Sequence, residues 1–170
     1  MSDRSGAVTF KGNPMTLEGD GVKVGDPAPD VTVVAQDFSE KKLSDYRGKT
    51  VLLSVVPSLD TGVCDKETRT FNEKAADLGD DVVVLTVSMD LPPAQKRWCG
   101  AAGVDRVECL SDYKHHSLAK GFGLRMQELG LLARAIYVID KDGKIVYEQL
   151  VDEVTHEPDY EEALEAAKKA

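Results

Sequence analysis

The chain has 170 residues, 42% of them hydrophobic and 30% charged, which suits one globular domain over 1–170 rather than a disordered tail or a disulfide-stapled miniprotein. Its formal net charge of −9 argues against nucleic acid or an anionic membrane as main partner, because both reward a basic surface. No apolar run is long enough to cross a bilayer, and MSDRSGAVTF lacks the apolar core and cleavage site of a secretion signal, so a cytoplasmic location is expected.

In chain order, Gly12-Asn13-Pro14 separates Val8–Lys11 from Met15–Leu17 and predicts a hairpin, an N-terminal extension over 1–24. The prolines of Gly25–Pro29 hold the chain extended before a predicted strand, Val31–Ala35. The polar stretch Ser39–Gly48 predicts a short helical turn around Leu43 and Tyr46. Thr50–Val56 is a continuous β-branched and aliphatic run, the mark of a strand buried on both faces, and Pro57 ends it. A helix is expected from the loop Ser58–Thr61 to about Leu78, with Val63, Phe71, Ala75 and Leu78 on its apolar face. Asp81–Val87 predicts a second buried strand. Pro92-Pro93 opens a helix carrying Trp98 and Cys99, with Gly100 and Gly103 as its stops. A short strand over Val107–Leu110 and a short helix over Lys114–Lys120 follow. Lys141-Asp142-Gly143 joins Ala135–Asp140 to Lys144–Leu150 as a hairpin, and Pro158 and Asp159 start a last helix. After the N-terminal β-hairpin the order is β-α-β-α-β-α-β-β-α. This predicts an α/β, thioredoxin-like fold with a mixed central sheet and flanking helices.

In a reducing compartment Cys64, Cys99 and Cys109 are working thiols or small buried hydrophobes rather than staples. Cys64 falls in the first turn of a helix that follows a buried strand. There the unpaired amides and the positive end of the helix dipole favour a thiolate and can hold a developing oxyanion. Thr61 can place a hydroxyl beside the sulfur, although it would serve equally as an N-cap. Pro57 can wall off water without offering an N–H, although it would serve equally as a strand terminator. Asp65 and Glu67 oppose a thiolate, and a guanidinium aimed at the sulfur would offset them. Cys99 has Gln95, Lys96 and Arg97 as neighbours, a polar setting that suggests an accessible, reactive thiol. Cys109, in an apolar strand, reads as a buried spectator.

Pro57, Thr61 and Cys64 match the P-x-x-x-T-x-x-C signature of peroxiredoxins, and PSLDTGVCDKETRTFN resembles the bacterial thiol peroxidase type, the atypical two-cysteine peroxiredoxins. KRWCGAAGV, Leu132–Ala135, VDEVTHEPDYEEAL and TFKGNPMTL resemble further segments of that family, so the resemblance spans nearly the whole chain. Cys109 and Leu124–Gly130 match nothing in its pattern. The resemblance implies a peroxidatic Cys64 that becomes a sulfenic acid. It implies that Thr61 and the Cys64 amide orient the peroxide, that Arg134 stabilises the thiolate and the departing oxygen, and that Pro57 shields the site. It implies Cys99 as resolving cysteine in the same chain, thioredoxin as reductant of the 64–99 disulfide, a homodimer, and no cofactor or metal. From the residues alone Arg134 would read as a surface arginine ahead of a strand.

Other chemistries fit less well. Cys99, Cys109, His115 and His116 have no zinc-ligand spacing. A Cys–His hydrolase lacks a histidine in a recognisable context. Glu67 stands where a C-x-x-C reductase needs its second cysteine, and Thr68 where a C-x-x-x-C copper chaperone does. A peroxide sensor or redox relay that oxidises once and hands on to a partner would use the same two cysteines, and steady-state turnover separates it from a peroxidase.

Overall fold

The computed structural model describes residues 2–170. A seven-stranded sheet forms its centre. The strands are β3 (Thr32–Val34), β4 (Glu40–Lys42), β5 (Thr50–Val55), β6 (Val82–Ser88), β7 (Glu108–Ser111), β10 (Ala135–Ile139) and β11 (Ile145–Leu150), in the order β11-β10-β5-β6-β7-β3-β4. β5, β6 and β7 run parallel and the outer pairings are antiparallel, so the sheet is mixed, as expected. The helices are α1 (Gly62–Ala75), α2 (Pro92–Ala102), α3 (Ser117–Phe122) and α4 (Tyr160–Lys169). The strand–helix alternation gives the thioredoxin-like architecture expected from element order.

Period-2 alternation splits the core between the two faces of the sheet. Val51, Leu53, Val55, Leu85, Val87 and Leu110 point to the face covered by α3 and the N-terminal hairpin. Leu52, Val56, Val84, Cys109 and Ile136 point to the face covered by α1, α2 and α4, where Cys64, Phe71 and Cys99 also lie. No described helix is long and apolar enough to cross a membrane.

Several elements differ from expectation. The N-terminal hairpin, β1 (Arg4–Phe10) and β2 (Asn13–Leu17), does not stand alone. It pairs with β8 (Arg125–Met126), which pairs with β9 (Leu131–Leu132), in a second sheet. Two-residue strands carry too little periodicity to be seen in sequence, so the segment around 124–132 gave no signal. Glu40–Lys42 is an edge strand, and the expected turn follows as a 3₁₀ helix over Leu43–Tyr46. α3 starts at Ser117 because the buried Asp112 carboxylate accepts from the Leu118 and Ala119 amides at 2.9 Å each, an N-terminal cap from a distance. The buried face of α1 carries Cys64, Glu67, Thr68 and Phe71, not the purely apolar stripe through Val63 and Ala75.

Gly100 does not stop α2. The helix runs through it to Ala102 and ends on Gly103, whose φ of +69° is the left-handed conformation of a helix C-cap. Gly100 is a helical position with open space around it. Gly100→Ala should therefore raise stability by about 0.5–1 kcal/mol and Gly103→Ala should lower it by about 1 kcal/mol, both measured by urea unfolding. Equal signs would contradict this assignment of the helix end.

Candidate active site

The loop 57–61 leaves β5 at Pro57, which is buried, and is tied down by Asp90 just past the end of β6. The Asp90 carboxylate accepts from Ser58 Oγ at 2.6 Å, the Leu59 amide at 2.7 Å and Ser88 Oγ at 2.7 Å. This fixes where α1 begins, with Cys64 fully buried in its first turn. Thr61 has the extended backbone of an N-cap, but its exposed side chain makes no cap bond. Its hydroxyl donates to the Ser58 carbonyl at 2.8 Å. The first-turn amides are thus not taken by Thr61.

Arg134 reaches Cys64 because of strand register. β10 runs antiparallel to β5 with Ala135 opposite Val55, so the residue before β10 stands beside the exit of β5 into the loop. The side chain is 2% exposed and each of its ends has a partner. Nη2 lies 3.3 Å from Cys64 Sγ, Nη1 donates to Glu67 Oε1 at 3.0 Å, and Nε donates to the Val154 carbonyl at 2.8 Å. Ser54 of β5 donates a short hydrogen bond to the other Glu67 oxygen. Burial pushes the Glu67 carboxyl up, against the pull of the Arg134 cation and the Ser54 hydroxyl. Burial also works against the charge on Arg134, and Glu67 and Cys64 more than restore it.

The two acidic residues feared as opponents of a thiolate therefore behave differently. Asp65 turns away, accepting from Trp98 Nε1 at 2.9 Å and Arg69 Nε at 3.0 Å. Glu67 is neutralised by Arg134 and holds that guanidinium in place. In the sequence Glu67 reads as a charge opposed to the thiolate and as the residue that spoils C-x-x-C, not as a partner of Arg134. Its position three after Cys64, one helical turn along the same face, was the available signal.

Glu153 was also missed. Its carboxylate accepts from Thr9 Oγ1 and the Gly12 amide, both at 2.8 Å, and from the Thr155 amide and hydroxyl at 2.9 and 2.6 Å, so hydrogen bonding holds its acidity well above that of a free carboxyl. Val154 exchanges backbone contact with β1 through a 2.8 Å bond from its amide to the Thr9 carbonyl. The N-terminal hairpin thus locks the segment whose Val154 carbonyl orients Arg134. Thr155, His156 and Glu157 of the same segment, with Gly62, Val63 and Lys66, line a surface recess of about 470 Å³ over the first turn of α1.

Cys99 is not in the polar setting its neighbours suggested. Lys96 and Arg97 face solvent while Cys99, 7% exposed, faces inward. Its sulfur lies 3.1 Å from Cys109 Sγ and 3.5 Å from Gln36 Nε2. Cys109 is buried, as expected, but it is not isolated. Either sulfur can donate in this contact, and it favours a thiolate at Cys99 over one at Cys109. Accordingly the Cys109 contact lowers Cys99 against the opposing effect of burial, and the Cys99 contact raises Cys109. All three cysteines are free thiols, with Cys64 on Arg134 and Cys99 on Cys109 and Gln36. His115 pairs with Glu40 on the surface.

Residues 23–164 match the Redoxin family. A thiol peroxidase of Bacillus subtilis (strain 168) is 56% identical over 95% of this chain and 96% of its own length. A thiol peroxidase of Halalkalibacterium halodurans is 57% identical over 96% of this chain and 98% of its own length. The crystal structure of a peroxiredoxin-like protein from Aquifex aeolicus is similar with a TM-score of 0.90 and 42% identity, covering 98% of each chain.

Glu67→Ala should cost about 3–5 kcal/mol by stranding a buried guanidinium, and Arg134→Met/Glu67→Leu should regain much of that stability. The double variant should not regain the rate of the peroxide step, which falls by about tenfold or more without the guanidinium. Urea unfolding and stopped-flow measurements separate the two effects. In a Cys64→Ser background, the alkylation midpoint of Cys99 with pH should move upward in Cys109→Ala, because the donor that favours its thiolate is gone. An unmoved midpoint would deny the contact its electrostatic role.

Proposed function

The chain belongs to the Redoxin family and, within it, to the thiol peroxidases, and from that premise we propose that it reduces hydroperoxides at Cys64 and regenerates that thiol through an intramolecular disulfide with Cys99. One observation carries the proposal. A buried guanidinium, fixed by Glu67 and Val154, lies 3.3 Å from the sulfur of a cysteine in the first turn of a helix.

The Cys64 thiolate attacks the terminal peroxide oxygen and the O–O bond breaks. The bonding pair leaves on the distal oxygen, which departs as alcohol or water after taking a proton. Arg134 and the Cys64 amide are the groups proposed to meet that negative charge. The Thr61 hydroxyl, donating to Ser58, keeps its oxygen free to accept from the peroxide O–H. Pro57, buried and without an N–H, helps keep water from the sulfenic acid. The Cys99 thiol then displaces water from the sulfenic acid to give the 64–99 disulfide, and an external dithiol, for which thioredoxin is the proposed source, reduces it.

Disulfide closure has a structural requirement. Cys99 Sγ sits on Cys109 and Gln36, on a different set of partners from Cys64, so α2 must open locally before the sulfurs meet. Trp98, half-buried and bonded to Asp65 of α1, must release that contact as Cys99 moves.

Cys64→Ser should abolish peroxide reduction in an assay coupled to thioredoxin, thioredoxin reductase and NADPH. Cys99→Ser should consume one equivalent and stall. Wild type should show two Trp98 fluorescence phases, one dependent on peroxide concentration and one independent of it. Cys99→Ser should lose the second phase, and Cys64→Ser should lose both. Near-normal turnover in Cys64→Ser would overturn the assignment.

A further inference from the structure

Cys109 is a buried nucleophile that the reaction above leaves unused, and three observations bear on it. The first is the 3.1 Å contact between its sulfur and that of Cys99. An S–S bond is about 2.05 Å long, so closure asks for an approach of about 1 Å from a contact that the fold already makes. The contact follows from sheet geometry. Leu110 points to the α3 face of β7, so Cys109 points to the face that α2 covers.

The second observation is a polar row across the sheet. Ser54 is in register with Thr86, and Thr86 with Cys109. At one end Ser54 holds Glu67, which holds Arg134 against Cys64. At the other end Cys109 holds Cys99. Between them Thr86 is fully buried, and its hydroxyl has no hydrogen-bond partner among the described residues. A buried hydroxyl left unpaired costs about 1–3 kcal/mol, so its place beside a cysteine asks for an explanation. A hydroxyl there can accept from a Cys109 thiol and donate to a Cys109 thiolate.

The third is access. A surface cleft of about 740 Å³ is lined by both Cys99 and Cys109, together with Gln36, Lys41 and Lys49. Cys64, fully buried, is not among the residues of that cleft.

Building on the assignment of Cys64 and Cys99 made above, we propose that Cys109 is a third redox cysteine, which takes over the disulfide from Cys64. The Cys109 thiolate attacks Cys99 Sγ in the 64–99 disulfide. A 99–109 bond forms, the 64–99 bond breaks, and Cys64 leaves with the electron pair as a thiolate against Arg134. The proton lost by Cys109 passes to solvent through the cleft. The exchange is redox-neutral: the oxidising equivalent delivered by peroxide stays in the chain, moved from Cys64 to Cys109. Rewinding of α2 drives it, since the folded place of Cys99 is the one beside Cys109. The main influence that raises the Cys109 thiol is its hydrogen-bond contact with Cys99, ahead of burial, and that contact is lost once Cys99 is in a disulfide. Two consequences follow. Cys64 is free for a second peroxide before any reductant arrives, and the disulfide presented for reduction opens on the cleft.

The test is a count of peroxide without reductant, followed by alkylation and peptide mapping by mass spectrometry. Wild type given one equivalent should show a 99–109 bridge with Cys64 alkylated. Given excess, it should consume a second equivalent and leave Cys64 as a sulfenic acid trapped by dimedone. Cys109→Ala should stop at one equivalent with a 64–99 bridge. The proposal is overturned if wild type retains the 64–99 bridge, leaves Cys109 alkylated and stops at one equivalent. Mapping wild type alone decides this even if Cys109→Ala folds poorly. Failure of the underlying assignment looks different: a 64–109 bridge in wild type, or Cys99→Ser turning over normally with thioredoxin, would remove Cys99 from resolution altogether.

Discussion

The site depends on the burial of one guanidinium. Arg134 is 2% exposed, and a cation there without partners would cost several kcal/mol. Each of its nitrogens is therefore committed: to Cys64, to Glu67 and to the Val154 carbonyl. Such a group has little freedom to reorganise, and in the proposed reaction that makes it useful beside a sulfur whose charge moves onto a departing oxygen. Lysine could not replace it, because three divergent contacts need the planar fork.

Much of the remaining chain fixes those partners. Ser54 on β5 and the turn spacing of α1 place Glu67. Asp90 holds the loop that sets where α1 begins. The N-terminal hairpin, remote in sequence, clamps Glu153 and so the Val154 carbonyl. The second small sheet therefore reaches the chemistry through a backbone carbonyl rather than through a side chain of its own.

The half of the proposed chemistry that involves Cys99 has the opposite character. Around Cys64 the polar groups are saturated and rigid, whereas α2 holds Cys99 through a contact between thiols, one bond from Gln36 and a partly exposed Trp98. Gly100, within the helix, weakens it further. In the proposed mechanism the site at Cys64 is preorganised and the segment carrying Cys99 moves, and the structure gives each the stability that its proposed task allows.

Much was legible in the sequence because it is local. The strand-to-helix step at Cys64, the prolines and glycines that punctuate it and the β-α alternation depend on neighbours along the chain, and they specified the fold and the candidate thiols. Arg134 could be named only through resemblance to a family, since from the residues alone it looked like a surface arginine. What tertiary structure alone decided depends on register and on which face of the sheet a side chain takes. The pairing of Ala135 with Val55 buries Arg134 beside Cys64. The inward face of α1 turns Glu67 from an opponent of the thiolate into the anchor of its counter-charge. The alternation along β7 turns Cys109 toward α2 and onto Cys99. A strand pattern with period two tells which residues share a face, but not which face, and only the packed helices settle that.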